Sequence, residues 1–364
     1  MPTPARLRRV LLVLLAAVAT GGLAACGGAQ ATGSGSGSPA PEGPVTLRLG
    51  YFPNLTHAVA MVGVEKGYLT QALGSTVTLK TQTFNAGPAA VEAIFGGALD
   101  IAYVGPNPAI NAYSKSKGSL VRIVAGAASG GAALVVRKAA GITSAEQLRG
   151  RKLASPQLGN TQDVALRSYL AAHGIHVDAQ GGGDATITST DNATILQLFK
   201  AGSIDAAWMP EPWVTRLVSE AAGAVLVDER SLWPNGQFPT TEVLVTTQFL
   251  NAHPLTVQHF LEGHLASLQW LQANPAAGQS AVNDALLKLT QKKLDTTELA
   301  TAWQNLQFTL DPLPAALAKQ AAAAHDAGLV ASTDLHGIMD LRILNSVLRS
   351  KGLATFSSGG YGSQ

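Results

Sequence analysis

Between residues 45 and 250 the chain alternates two periods of hydrophobicity. Runs rich in apolar and β-branched residues at 45–50, 77–81 and 99–104 read as strands. A helix start follows each of them: Asn54-Leu-Thr-His57, then Gly87-Pro88 ahead of 89–95, then Gly105-Pro106-Asn107. Proline just inside a helix start fits its fixed φ and its missing N–H. Further on, Asn160 is placed to cap a helix that runs to Ala172 and stops near Gly174, with Asp163 favourable in the first turn. Asp191 caps 192–200 in the same way, and Ile195, Leu198 and Phe199 there share one face. This βαβα order predicts an α/β fold whose loops at the carboxyl ends of the strands face a ligand.

An internal echo runs through the same region. Gly97-Ala-Leu-Asp100-Ile-Ala102-Tyr103 returns as Gly202-Ser-Ile-Asp205-Ala-Ala207-Trp208. In both places a helix ends at glycine, which suits a left-handed cap, and a short strand leads to a Pro-containing loop. The matching register predicts two similar lobes. Residues 134–137 are expected to cross outward and 240–246 to return. That puts 45–136 and 241–353 in lobe I and 137–240 in lobe II, with a hinge and a cleft between them.

The ends are different in kind. Arg6, Arg8 and Arg9 precede a short apolar stretch, 10–19, and small residues lead to Cys26. This is the layout of a secretory signal, 1–25, and the apolar stretch is too short to span a bilayer as a helix. Leu23-Ala24-Ala25-Cys26 resembles a bacterial lipobox, which implies a lipid on Cys26; Arg8-Arg9 keeps a twin-arginine route open beside the general one. Residues 26–44 are rich in Gly, Ser and Pro and are expected to be a flexible tether, and 354–364 a flexible tail.

Cys26 is the chain's single cysteine. With its thiol committed to lipid, disulfides, thiolate catalysis and cysteine metal sites are excluded. The eight histidines lack the paired spacing of a zinc site, so no metal and no cofactor is expected. Three of the 25 basic residues lie in the signal, leaving 22 against 23 acidic ones. A near-neutral body with no basic stripe argues against nucleic acid. Gly181-Gly-Gly183 lacks dinucleotide spacing, and neither a nucleophile elbow nor a phosphate-binding loop sequence occurs.

Taken in order, Tyr51-Phe-Pro-Asn54, Phe84-Asn-Ala-Gly-Pro-Ala-Ala90, Asp100-Ile-Ala-Tyr-Val-Gly-Pro106, Ile142-Thr-Ser-Ala-Glu-Gln-Leu-Arg-Gly150, Ser155-Pro-Gln-Leu-Gly-Asn-Thr-Gln-Asp163 and Trp208-Met-Pro-Glu-Pro-Trp213 resemble the substrate-binding proteins of bacterial ABC importers. The branch is that of aliphatic sulfonate, taurine and nitrate binders, whose fold also houses thiamine-precursor binders. The resemblance spans roughly 45–350. It implies a two-lobed periplasmic-binding-protein-like fold of type II. It also implies a monomeric, non-enzymatic receptor, lipid-anchored on the extracytoplasmic face of the cell membrane, that delivers a small solute to an ABC permease and its ATPase. Other readings are nitrate, bicarbonate or a pyrimidine precursor as ligand, a sensor or adhesion lipoprotein, and a pyrimidine-synthase-like enzyme on the same fold.

The expected site follows from helix starts, whose free N–H groups and partial positive charge attract small anions. Asn54, Thr56 and His57, then Asn85 and Gly87, then Pro106 and Asn107, then Gly159, Asn160 and Thr161 are expected to converge on the cleft as ligand-binding residues. From the second lobe, Trp208 or Trp213 is expected to cover the body of the ligand. Glu211 has two readings: pairing with an amine or hydroxyl of the ligand, or holding a helix start.

Overall fold

The computed structural model describes residues 43–363. The expected signal, Cys26 and nearly all of the expected tether lie outside the described residues. The chain first lays down β1 (Val45–Tyr51), β2 (Val77–Thr83), β3 (Ile101–Val104) and β4 (Val121–Gly130). It continues through β5 (Ala132–Arg137), β6 (Lys152–Pro156), β7 (Thr186–Thr190), β8 (Ala206–Pro210) and β9 (Gly223–Asp228). Then come β10 (Pro239–Thr246) and three short strands, β11 (Leu306–Phe308), β12 (Met339–Asp340) and β13 (Gly362–Ser363).

These form two sheets. One runs β13-β12-β4-β10-β3-β1-β2, with β11 paired to β4; the other runs β7-β6-β8-β5-β9. In each, a strand pairs in parallel with two neighbours: β1 with β2 and β3, β6 with β7 and β8. Parallel strands need crossovers, and the helices Gly87–Phe95, from β2 past β1 to β3, and Asn192–Lys200, from β7 past β6 to β8, supply equivalent ones. An antiparallel strand then closes on each set, β10 on β3 and β5 on β8, with β4 and β9 beyond. The order β2-β1-β3-β10-β4 is therefore repeated as β7-β6-β8-β5-β9. The fold is two-lobed α/β, as the sequence implies.

The sequence echo marks the same joint in both lobes. The Asp100 carboxylate accepts the Arg48 backbone N–H at 2.8 Å, and Asp205 accepts that of Lys152 at 3.2 Å. Each carboxylate also takes an arginine, Arg48 at 2.8 Å and Arg137 at 3.0 Å. Side chains alternate across each strand, so both faces of both sheets are covered. Val243 and Val245 enter one core cluster of the first lobe and Leu244 the other. Leu134 and Val136 likewise face one cluster of the second lobe, Ala133 and Val135 the other.

Two expected boundaries are corrected. The strand holding 132–136, expected in lobe I, pairs with β8 and β9, so the outward crossing is the Gly130-Gly131 pair. An apolar run reads alike in either sheet; pairing decides its lobe. The expected flexible tail is instead seated on the first sheet. The Tyr361 carbonyl accepts the Gly337 and Met339 N–H groups, and Leu341 N–H donates to Ser363. A Cβ on Gly362 would lie 1.8 Å from the Met339 carbonyl oxygen. The small residues that looked disordered are what lets two backbones approach.

Candidate functional site

Where the lobes meet, a small polar cavity is lined from the first lobe by Phe52, Asn54, Thr56, His57, Asn85, Ala86, Gly105 and Thr240. Asn160, Thr161, Gln162, Asn192 and Pro210 line it from the second. It holds about 20 Å³, space for about one water-sized group. Five helix starts border it, beginning the helices Ala58–Glu65, Gly87–Phe95, Pro106–Lys115, Thr161–Ala172 and Asn192–Lys200. At the first four no side chain caps the terminus; the turn Leu55–His57 runs directly into the first, whose Ala58 N–H donates to the Leu55 carbonyl, so it is the other three whose first-turn amides keep donors to offer. The fifth is capped by Asp191, which accepts Thr194 N–H at 2.9 Å. No lysine, arginine, aspartate or glutamate lines the cavity.

His57 contributes a neutral donor. Burial pushes its pKa down to about 3, and its Nδ1 accepts the Phe52 N–H at 3.4 Å. The ring proton then belongs on Nε2. The Phe52 ring lies 4.2 Å from the imidazole and holds it in place.

The loop that presents Asn160, Thr161 and Gln162 is built around Asp163. Its fully buried carboxylate accepts from Ser155 Oγ at 2.6 Å, Gly159 N–H at 2.9 Å, Arg167 Nε at 3.0 Å and Ser189 Oγ at 3.2 Å. Gly159 turns the loop at φ +75° with open space where a Cβ would sit. Its part is the turn and the amide given to Asp163, not a place in the cavity lining.

Of the expected ligand residues, the cavity brings together Asn54, Thr56, His57, Asn85, Asn160 and Thr161. Asn54 also joins the lobes, accepting Trp213 Nε1–H at 3.0 Å. Gly87 lies behind the lining: a Cβ there would be 2.2 Å from Pro108 and 3.1 Å from Asn160 Oδ1. Pro106 opens its helix, and Asn107 turns to the opposite side, donating to the Gln320 carbonyl at 3.1 Å.

Trp208 and Glu211 are placed otherwise than expected. Trp208 is fully buried and donates Nε1–H to Glu229 at 2.7 Å. It is the counterpart of Tyr103, a core ring whose hydroxyl meets His264 at 2.8 Å. Glu211 is buried and spends its carboxylate on Thr215 N–H at 3.1 Å, Thr215 Oγ1 at 3.1 Å and Asn305 Nδ2 at 2.7 Å. It closes off the start of the Trp213–Glu220 helix, the helix-start reading rather than the ligand-facing one. Desolvation raises its pKa above the usual carboxylate range. Its backbone ties the lobes as well, through Leu55 N–H at 3.2 Å and the Gly131 carbonyl at 2.8 Å.

Gly105, Gln162, Asn192 and Thr240 line the cavity without having been singled out as ligand residues. The echo contains the signal for Asn192: its helix occupies in lobe II the place of the Gly87–Phe95 helix in lobe I.

Two larger cavities flank this one along the same interface. One, of about 340 Å³, includes Asn54, Asn85, Asn192, Trp213, Arg216 and Lys292 among its lining. The other, of about 260 Å³, shares Thr161 and extends between the helices Thr161–Ala172 and Pro314–Asp326. Among the described residues no helix is long and apolar enough to cross a membrane, and no group of three or more His, Cys, Asp or Glu side chains is placed to hold a metal ion.

A family model described as NMT1-like matches residues 40–285. The taurine-binding periplasmic protein of Escherichia coli (strain K12) is 30% identical over 207 residues, 57% of this chain and 61% of that protein. The alkanesulfonate-binding protein from Xanthomonas axonopodis pv. citri, solved with MOPS bound, superposes with a TM-score of 0.68 at 18% identity, covering 80% of this chain and 96% of that one. The periplasmic nitrate-binding protein from Synechocystis PCC 6803 gives 0.67 at 15% identity, covering 85% and 90%. At such identities the two solved structures speak for the fold alone.

Proposed function

The chain belongs to the NMT1-like family, and on that premise we propose that it is the extracytoplasmic solute-binding component of an ABC importer. It captures a small anionic or zwitterionic solute, an aliphatic sulfonate or taurine, between its lobes, and releases it to a permease driven by an ATPase. The observation that carries this reading is the convergence of three helix starts with unspent first-turn amides, those of Gly87–Phe95, Pro106–Lys115 and Thr161–Ala172, on a cavity lined by no lysine, arginine, aspartate or glutamate. Each such terminus favours a nearby anion by about 0.3–1 kcal/mol when exposed and up to ~2 kcal/mol when partly buried. The hydroxyls of Thr56 and Thr161, the side-chain amides and neutral His57 add donors. A sulfonate keeps its charge across the pH range of life, so a site that offers dipoles and no titrating base suits it.

Binding is differential. An open form reaches the solute with one lobe and a closed form with both, so the solute draws the population toward closure. A lipid on Cys26 would tether this receptor, as a monomer, beside its permease. Nothing in the cavity is arranged as a nucleophile with its base, so the reading is capture without turnover. The similarity to a taurine binder supports the choice of solute.

A second reading, a bare oxyanion such as nitrate or bicarbonate, is favoured by the cavity's size of about 20 Å³. Isothermal calorimetry with taurine, ethanesulfonate, nitrate and bicarbonate separates the two. A dissociation constant at least tenfold lower for the sulfonates supports the first reading, the reverse order supports the second, and heat from none of the four overturns both. Export of the full chain with Cys26→Ser, followed by fractionation, tests the anchor: the protein should leave the membrane fraction.

A further inference from the structure

The cavities that flank the polar one differ in charge. The cavity of about 340 Å³ shares Asn54, Asn85 and Asn192 with the polar cavity, and Arg216 and Lys292 stand on its wall. These two cations come from different lobes. Lys292 lies between Leu286 and Leu294, both in a core cluster of the first lobe. Arg216 belongs to the Trp213–Glu220 helix, whose Val214 and Leu217 enter a core cluster of the second. The Arg216 guanidinium sits 4.6 Å from the Trp213 ring centre, and the Lys292 side chain is about half exposed.

Both cations share one carboxylate with a third. Glu220 accepts from Arg216 Nε at 2.6 Å, from Lys200 Nζ at 2.7 Å and from Lys292 Nζ at 3.4 Å. Desolvation acts to raise its pKa, but the hydrogen bonds from Arg216 and Lys200 outweigh that and hold it down at about 2. Glu220 therefore offsets one of the three positive charges. Asp191, also on the wall, offsets a second while it accepts from Thr194. One positive charge is left over. In the cavity of about 260 Å³, Lys319 is matched by Glu229 once that carboxyl is ionised above pH 7. Beyond it, a cavity of about 650 Å³ carries Asp178 and Asp326, and its arginine, Arg167, is paired to Asp163. The interface runs from a positive mouth to a negative one.

We propose that solute enters the cleft on the Arg216 and Lys292 side, where these two cations steer anions toward the helix starts and favour net-anionic solutes over zwitterions. The inference rests on the anion-capture reading and selects the anionic members of that solute class. A cleft rimmed by one sign of charge speeds the arrival of the opposite sign, and salt screens the effect. A rim charge acts on association, whereas a contact with the bound solute acts on dissociation. Neither cation lines the polar cavity, so an anion passes them and does not come to rest on them.

Stopped-flow tryptophan fluorescence on the full chain at pH 8, with calorimetry alongside, tests the entrance. The probes are ethanesulfonate, or nitrate where that is the anion bound, and taurine, which has the same sulfonate head and no net charge. Raising NaCl from about 10 to about 500 mM should slow association of the anion at least threefold and that of taurine less than twofold. Lys292→Glu should slow the anion about fivefold or more at the low salt and come within about twofold of wild type at the high salt. Taurine should stay within about twofold throughout. Lys292→Gln, which removes the charge without setting a new one against Glu220, should give a smaller loss in the same direction. Lys319→Glu, on the far side, should leave association within about twofold, and where taurine gives no heat this comparison decides. Thermal midpoints without solute check the folding of each variant. Equal losses for anion and taurine, a change confined to dissociation, or an effect of Lys319→Glu as large as that of Lys292→Glu overturns the entrance and leaves anion capture standing. No heat from ethanesulfonate, nitrate or bicarbonate overturns the capture reading, and the entrance with it.

Discussion

Replacing Gly105 by alanine isolates the contact between the lobes. Gly105 has φ −71° and ψ 159°, extended backbone that any residue adopts, so alanine adds no local strain within lobe I. A Cβ there would stand 2.2 Å from Thr161 Oγ1 and 3.3 Å from Thr161 Cβ, both in lobe II. Real Cβ atoms essentially never approach another atom closer than 3.0 Å, so the surfaces must part by nearly an ångström. Thr161 is β-branched, and turning it swings a methyl group into the hydroxyl's place. Overpacking of this kind costs about 1–3 kcal/mol, and all of it falls on the closed form. Affinity for the best solute should therefore drop ~5- to ~150-fold. Calorimetry measures the loss, and thermal unfolding without solute serves as the control, with the midpoint holding within about 1 °C. An unchanged dissociation constant refutes the reasoning. So does a solute-free midpoint several degrees lower, which would place the clash in the fold rather than in closure.

Asp163→Ala removes the carboxylate under the 155–163 loop and leaves Arg167 buried without its partner; breaking such a pair costs about 3–5 kcal/mol, to be read from urea unfolding. Glu211→Gln keeps an acceptor for Thr215 and should change solute affinity less than threefold in calorimetry, whereas a ligand-contacting carboxylate would shift it tenfold or more. Glu229, buried, has its pKa pushed up to about 7 from 4.5, mainly by desolvation. The fold thus favours its protonated form, and that contribution is complete below pH 4.5, declines as the pH rises to about 7 and is flat beyond, in total on the order of 3 kcal/mol. Comparing denaturant stability of wild type and Glu229→Gln at pH 5 and pH 7.5 should give the wild type the larger fall, while the histidines, common to both, cancel.

Where local sequence sets backbone geometry, it was legible. Glycine after a helix, proline inside a helix start and asparagine before one placed the strands and helix starts that border the cleft. The echo of Gly97–Asp100–Tyr103 in Gly202–Asp205–Trp208 also foretold a repeated sheet order. Partnership between distant strands was less accessible. Residues 132–136 are apolar in either lobe, and only pairing with β8 and β9 assigns them. Trp208 and Glu211 look like ligand residues because an aromatic and a carboxylate beside a cleft have that chemistry available; Glu229, Thr215 and Asn305 use it up. Asp163 shows the converse, since its position in a first turn gives no hint that four donors converge on it.

The interleaving of the two sheets has a consequence for how the chain acquires its form. β10 lies between β3 and β4 in space, yet the whole of β5 to β9 is synthesised before it. As the polypeptide emerges from its amino end, the larger sheet exists as two fragments with facing raw edges, and such edges invite mispairing. The five-stranded sheet is made from one uninterrupted stretch and can be finished first. Residues 239–246 thus join strands made long before them, a long-range closure of the kind that slows folding, and the helices and short strands of 247–363 can settle on the larger sheet only after it. A receptor built this way matures from its middle outward.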